Sequence, residues 1–501
     1  MGQVGGSPDE DETPGRSAAW TPPRAPQVEA LREPAEKEAA DGCPAVPEGG
    51  TVPAQDTSGP SCGTTDDDSL FEAVRPRTRS SRDRSRPPPT RTGLHCLEVP
   101  TAPRGGGIRG NSPRSASRHL AAPHTRSAVH TQEAVISSYA SDPESNHAGV
   151  LIVGGSLGGL TTALALASRG LPSVVLERTG GRTQRGVAIL VTGARLQRAI
   201  GPAAQDVVGE ALGPSSTSQG ALPHAWWDVY SALRSAVDAD PLITVVEKAH
   251  VVKVGQDSAS VWARTETGEA WTADVLVGAD GYRSVVRRHV DAEHPDAAYA
   301  GYVVWLGQSA LPPSHRDRPG GPDFFPSGDD MLAVYPLAER DGQVTRFGWG
   351  WFDPNRNAHF RRIGAVAGKR VMRTPRPGDI PDELYRTMAT AAGHKWDEPW
   401  RSAVAEAFHA REVVATPIAE YLPDRVVSGR VALLGDAAHA QTPMTGAGFE
   451  EAVTDARVIA DALAGTDSPE RALERYELHR LADMRHRVSA GQSFSRSFAG
   501  A

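Results

Sequence analysis

The chain has 501 residues, 53 Lys plus Arg against 61 Asp plus Glu, and a formal net charge of -8. That length provides for about two to four domains and a large core, and the mild acidity argues against nucleic-acid binding, which needs a concentrated positive field. Mean hydropathy is -0.38, no apolar run approaches the ~20 residues of a membrane-spanning helix, and the start lacks the basic and apolar regions of a secretory signal, so a cytoplasmic protein is expected.

Composition then splits the chain. About half of the 40 prolines precede residue 148, with only Trp20, Phe71 and Tyr139 as aromatics and with Cys43, Cys62 and Cys96, the chain's whole complement. Such a stretch cannot bury enough apolar surface to offset its ordering entropy, so residues 1–147 are expected to be a disordered arm. Its run RPRTRSSRDRSRPPPTR at 75–91 reads as a solvated low-complexity tract rather than an RNA site. The remainder has no cysteine, which excludes thiol catalysis and cysteine-ligated metal; no metal is expected.

Past residue 148, strand-like and helix-like segments alternate, the pattern of an α/β domain. Gly149 to Val153 is a short apolar run. Leu160, Ala163, Leu164 and Ala167 recur at helical spacing, Gly170 supplies the stop, and Val174 to Leu176 returns as a strand. The turn inside this βαβ unit is Gly154-Gly155-Ser156-Leu157-Gly158-Gly159. On the G-x-G-x-x-G template, Gly154 makes the tight turn and Gly159 lets helix and strand pack. Ser156 departs from the template; its hydroxyl can donate to a phosphate held at the helix N-terminus. Glu177 ends the second strand about 20 residues on, where an acid holds a ribose hydroxyl and disfavours a 2′-phosphate; Arg178 beside it is a further cofactor-binding candidate.

Two later constellations point past a simple dinucleotide enzyme. Val275 to Val277 runs into Gly278-Ala279-Asp280-Gly281, and Val431 to Leu434 runs into Gly435-Asp436-Ala437-Ala438-His439, followed by Pro443 and Gly446-Ala447-Gly448. Each is a strand breaking at a glycine and an acid, and a helix expected from Phe449 to Leu463 offers its N-terminus to a ligand. A carboxylate beside a polyol and a helix dipole beside a carbonyl suit FAD.

With these three motifs in this order, residues 148–490 resemble the single-component FAD-dependent aromatic hydroxylases, the p-hydroxybenzoate hydroxylase-like monooxygenases. GGSLGG, YVVWLG around Trp305 and RFGWGWF around Trp349 and Trp351 are most similar to the branch acting on hydroxylated pyridines such as 2,6-dihydroxypyridine. The resemblance implies an α/β fold: a Rossmann-like FAD-binding domain (GR2-type) in two parts, 148–299 and 414–491, an inserted substrate-binding sheet at 300–413, and a tail at 492–501. Gly154 to Gly159 then binds the pyrophosphate and Glu177 the adenosine ribose. Asp280-Gly281 serves FAD and the nicotinamide cofactor. Gly435-Asp436 holds the ribityl chain, and Pro443, Gly446 and Gly448 lie along the isoalloxazine. NAD(P)H reduces the flavin and leaves, and O₂ gives a flavin hydroperoxide that hydroxylates an electron-rich aromatic small molecule. Members carry an arginine on the helix after a W-x-x-V-Y segment; here Trp227-Asp228-Val229-Tyr230 is followed by Ser231, with Arg185 as an alternative contact.

Stacking suits a flat substrate, so Tyr302, Trp305, Tyr335, Trp349 and Trp351 are candidates for the pocket wall. His224 and His439 are candidates for a general base that deprotonates a ring hydroxyl. Two other readings compete. Trp349-Gly350-Trp351 resembles the W-x-W of flavin-dependent halogenases, but the lysine that family carries after its FAD loop has no counterpart between Gly159 and Tyr230. A dinucleotide-binding interaction module without turnover would account for Ser156 and Ser231.

Overall fold

The computed structural model describes residues 147–181, 188–213, 216–217, 220–315, 322–466 and 468–500. The expected arm up to residue 146 and Arg185 lie outside them, while His147, expected in the arm, begins the first strand. Strand β1 (His147–Val153) is apolar on both faces, as a strand covered by helices requires. Helix α1 (Leu157–Ala167) is buried along nearly all its length, and β2 (Ser173–Leu176) returns parallel beside β1. A short pair, β3 (Ala188–Ile189) and β4 (His224–Ala225), brackets α2 (Gly193–Leu212) and leads into α3 (Trp226–Ala239). Strand β5 (Ile243–Val246) joins β2, the hairpin β6 (Val251–Gln256) and β7 (Val261–Thr265) follows, and β8 (Ala270–Gly278) pairs parallel with the other side of β1.

After the short helix α4 (Arg287–Val290), the chain leaves this sheet for a second, antiparallel one. Its strands β9 (Ala298–Ala310), β10 (Asp323–Ser327), β11 (Asp330–Pro336) and β12 (Arg346–Asp353) lie in the order β10–β11–β12–β9. Helices α5 (Asp382–Lys395) and α6 (Trp400–Ala410) share an aromatic-rich core with one face of this sheet. β13 (Val414–Glu420) pairs with β9, so the second sheet extends past the expected boundary at 413: residues Val414 to Pro417 still find their partners there.

The chain then rejoins the first sheet through β14 (Val427–Ser428) and β15 (Val431–Leu433), giving the order β14–β15–β8–β1–β2–β5. Helices α7 (Asp436–His439), α8 (Gly448–Ala464) and α9 (Pro469–Ala499) finish the fold. Residues 492–499 therefore continue a helix where a tail was expected, because Phe494 and Phe498 pack on the front of the second sheet, the face away from α5 and α6. No helix among the described residues is long and apolar enough to cross a membrane.

Candidate cofactor and substrate site

Strands β1, β8 and β15 end side by side, with Val153 opposite Gly278 and Gly278 opposite Leu433. The turns that follow, near residues 154, 280 and 436, therefore meet at the carboxyl edge of the parallel sheet, where open α/β sheets bind ligands. Ala279 N–H donates to Val153 O (2.8 Å) and Leu434 N–H to Gly278 O (3.0 Å). Gly154 has φ +111, and a Cβ there would strike the Ala279 carbonyl; a Cβ at Gly159 would strike the Gly154 carbonyl. Gly158 lies against Leu434 of the third turn. Helix α1 starts after Ser156 with no side-chain cap and no acid in its first turn. Its leading N–H groups and dipole would therefore favour an anion there.

The three acids of these motifs differ in what they touch. Glu177 is buried: Oε2 accepts from Gly155 N–H (2.8 Å), and Oε1 from the N–H (3.0 Å) and hydroxyl (2.7 Å) of Thr179. It pins the glycine loop to the end of β2. Arg178 beside it is exposed. Asp280 turns back on its own segment, accepting from Ser284 Oγ (2.5 Å), Val285 N–H (2.7 Å) and Val286 N–H (3.2 Å), and burial pushes its carboxyl up. Only Asp436 offers a carboxylate with no hydrogen bond among the described residues. It is exposed to solvent, yet protein surrounds it closely enough that burial also raises its pKa.

Arg287, which the sequence reading did not single out, joins the second and third turns. Its guanidinium is buried and donates to the carbonyls of Ala437 (2.8 Å), Asp436 (3.4 Å), Pro295 (2.8 Å) and Tyr282, and lies 4.1 Å from the Tyr421 ring centre. Burial draws its pKa down. The third turn continues into a loop whose Pro443 and Gly446 are exposed and whose Thr442 is buried. Thr442 Oγ1 shares a hydrogen bond with Tyr302 OH (2.6 Å) and accepts from Met444 N–H (3.4 Å). Helix α8 begins at Gly448 with no side-chain cap.

The second sheet has two unlike faces, because side chains alternate along each strand. Trp305, Trp349 and Trp351 point to the back, fully buried against Phe360, Trp396, Trp400 and Phe408. Their indole N–H groups donate to Asp353 (3.0 Å), Ser309 (3.3 Å) and Asp330 (3.1 Å). They are core residues, contrary to the expectation that they wall the pocket: the α5–α6 layer, unread in the sequence, covers them. Tyr302 faces front but is sealed by Phe352 and Phe498, with centroids 6.0 and 5.3 Å away. Tyr335 alone of the five is partly exposed; its ring lies over Gly348 and its phenol oxygen takes the Ala188 N–H.

Neither histidine is placed as a base. His224 is 2% exposed, on β4 opposite Ile189, and burial lowers its pKa. His439 is 3% exposed and bonded to Asp455 (2.6 Å) beneath the third turn. Ser231 stands where an arginine was expected, and Arg234 one turn on is committed to Asp238 (2.7 Å) and Glu247 (2.9 Å). Besides Arg287, the reading missed Asp455 and Arg480. The one signal was an acid on an otherwise apolar helix face, beside Ala452, Val453 and Ala456.

An uncapped helix start for a pyrophosphate, a free carboxylate for a polyol and an open loop before a second uncapped helix are what an elongated flavin dinucleotide requires. The chain belongs to the FAD binding domain family, whose model matches residues 218–489. Within it, the chain is 30% identical over 358 residues, 66% of its length and 83% of the relative, to 3-amino-4-hydroxybenzoate 2-monooxygenase of Streptomyces cremeus. It is 28% identical over 380 residues, 69% of its length and 92% of the relative, to 2,6-dihydroxypyridine 3-monooxygenase of Paenarthrobacter nicotinovorans. The solved 2,6-dihydroxypyridine-3-hydroxylase of Arthrobacter nicotinovorans shares the fold, with TM-score 0.58, 23% identity and coverage of 72% of this chain and 94% of that one. The protein is an FAD-dependent monooxygenase of the aromatic hydroxylases.

Proposed function

We propose that this enzyme hydroxylates a flat, already hydroxylated aromatic or heteroaromatic ring in the cytoplasm, using NAD(P)H and O₂, with the substrate held between the 443–448 loop and the front of the second sheet. The observation that carries this reading is the junction of the three turns, with the Asp436 carboxylate exposed and without a hydrogen bond among the described residues. The named substrates of the relatives, an aminohydroxybenzoate and a dihydroxypyridine, share an electron-rich ring bearing a hydroxyl.

Bound FAD supplies hydride acceptance and oxygen activation. The chain's residues position it. The N-terminus of α1, with Ser156, Gly158 and Gly159, receives the pyrophosphate. Glu177 keeps that loop in shape through Gly155 and stands at the carboxyl end of β2, where the adenosine ribose would lie. Asp436 accepts from ribityl hydroxyls, while Asp280, Gly281 and Gly435 set the turns. Pro443, Gly446 and Gly448 offer backbone to the flat ring system. Leu306 and Tyr335 on the second sheet and Met444 on the loop are among the half-buried side chains at that front, and they would exclude water from the reacting face. Tyr335, whose oxygen already accepts from Ala188, has its own proton to donate to a substrate oxygen.

The Trp349–Trp351 pair that resembles the halogenase motif is accounted for by core packing. The test is direct: purified protein is expected to be yellow, and a panel of hydroxypyridines, aminophenols and hydroxybenzoates is screened for stimulated NAD(P)H oxidation. A product heavier by one oxygen and indifferent to halide supports the reading; a halogenated product, or none from a flavin-loaded protein, overturns it.

A further inference from the structure

Beneath the Asp436 turn lies a buried charge cluster that the functions assigned above leave unused. Asp455 Oδ2 accepts from both ends of the turn, Gly435 N–H (3.1 Å) and His439 Nε2 (2.6 Å), while Oδ1 accepts from Arg480 Nε (2.8 Å). Arg480 also reaches Glu451 (2.6 Å). His439 N–H closes the turn onto Gly435 O (2.8 Å). One carboxylate oxygen thus gathers the two residues that flank the segment presenting Asp436 to the cleft.

Charge balance fixes the state of this cluster. Asp455 and Glu451 from α8 are negative and Arg480 from α9 is positive, each nearly inaccessible to solvent. At the rim, Arg487 and Asp483 cancel one another. The interior is neutral only if His439 is an imidazolium, and an uncompensated buried charge is strongly unfavourable. Burial pulls the imidazole toward neutrality, but Asp455 outweighs it and holds the ring protonated above the usual histidine range. Toward the cleft, His439 and Arg287 both favour the ionised form of Asp436; Tyr476 of α9 is buried and its phenol donates to Leu433 O (2.7 Å).

We propose that His439, through Asp455, is a positioning residue for FAD: it holds the Gly435–Asp436 turn in binding geometry, so that FAD affinity has an alkaline limit set within the protein. This rests on the reading that Asp436 holds the cofactor. The sign follows from the direction of the shift. A contribution from a group whose folded pKa is raised is fully present below the ordinary histidine value and is lost as pH rises through the raised one. Deprotonation leaves Asp455 and Glu451 facing Arg480 alone in the interior, and that uncompensated charge loosens the turn that Asp455 gathers.

Apoprotein of the full chain is titrated with FAD from neutral to alkaline pH, and the melting temperature of the apoprotein is followed over the same range. Wild type is expected to lose roughly tenfold or more in affinity on the alkaline side. His439→Gln, which keeps a donor but cannot titrate there, binds somewhat more weakly with no such limb. Asp455→Asn moves the limb toward lower pH. Identical profiles for wild type and His439→Gln overturn the proposal, and so does an alkaline limb confined to apoprotein melting, which marks a purely structural cluster. The wild-type and His439→Gln profiles decide even if Asp455→Asn does not fold. Asp436→Ala separates the two levels: if it binds FAD like the parent, the cofactor role of Asp436 falls and this inference with it, whereas weak binding by Asp436→Ala with unchanged pH profiles sinks the inference alone.

Discussion

Replacing Trp351 by Phe tests where the substrate-facing surface lies. Trp351 is fully buried, meets Trp396 edge-on at 4.6 Å and Phe408 at 5.7 Å, and donates its indole N–H to Asp330 at 3.1 Å. Phenylalanine keeps most of the ring contacts and removes the donor. A hydrogen bond to a charged group contributes about 1.5–3 kcal/mol, and the lost ring volume adds about 1 kcal/mol more in a site that cannot fully collapse. Asp330 keeps Lys395 as its ion-pair partner, so the carboxylate is not stranded and the total is about 2.5–4 kcal/mol, with no further cost for an unpaired buried charge. Denaturant unfolding of wild type and variant, followed by circular dichroism, measures this loss, and steady-state NAD(P)H oxidation measures KM for the aromatic substrate. Stability should fall by that amount with KM within about twofold of wild type, the equivalent of less than half a kcal/mol. A stability change below about 1 kcal/mol with a tenfold rise in KM would place Trp351 at the ligand and refute the two-face reading of the sheet.

Other substitutions probe the remaining parts. Arg287→Leu strips donors from the carbonyls of Ala437 and Pro295 and should cost about 3–5 kcal/mol of stability, with FAD affinity falling at least tenfold by apoprotein titration. Glu177→Gln keeps the shape but weakens the pin on Gly155; FAD affinity should drop about three- to tenfold, less than for Asp436→Ala, and parity between the two would reverse their assigned roles. Tyr335→Ala should raise KM for the aromatic substrate roughly tenfold or more while FAD binding is unchanged, read by steady-state kinetics and flavin titration. Asp455, although buried, is held below the usual carboxylate range by His439 and Arg480. Its stabilisation is present above the ordinary aspartate pKa and lost as pH falls through the depressed one, so Asp455→Asn should flatten the acid limb of a melting-temperature profile.

The sequence alone determined the parts whose physics is local. An apolar run ending in glycines, a helical period and a returning strand made the first βαβ unit legible, and repetition of the strand-to-acid break at 280 and 436 identified the cofactor class. These are short-range patterns, set by backbone sterics and periodicity within a few turns of chain. Which side of a strand faces the ligand was decided elsewhere. The tryptophans of β9 and β12 were visible as aromatics, but only α5 and α6, arriving some 30 residues later in the chain than β12, made their side of the sheet the interior. The same holds for the acids: Glu177, Asp280 and Asp436 occupy equivalent places in their motifs, yet two accept from neighbouring N–H and hydroxyl groups and one makes no hydrogen bond among the described residues. The charges beneath the third turn come from helices α8 and α9, and Arg287 spans two turns about 150 residues apart. Burial and pairing are sums over all neighbours in space, and residue order along the chain does not specify those neighbours until the sheets and helices have packed.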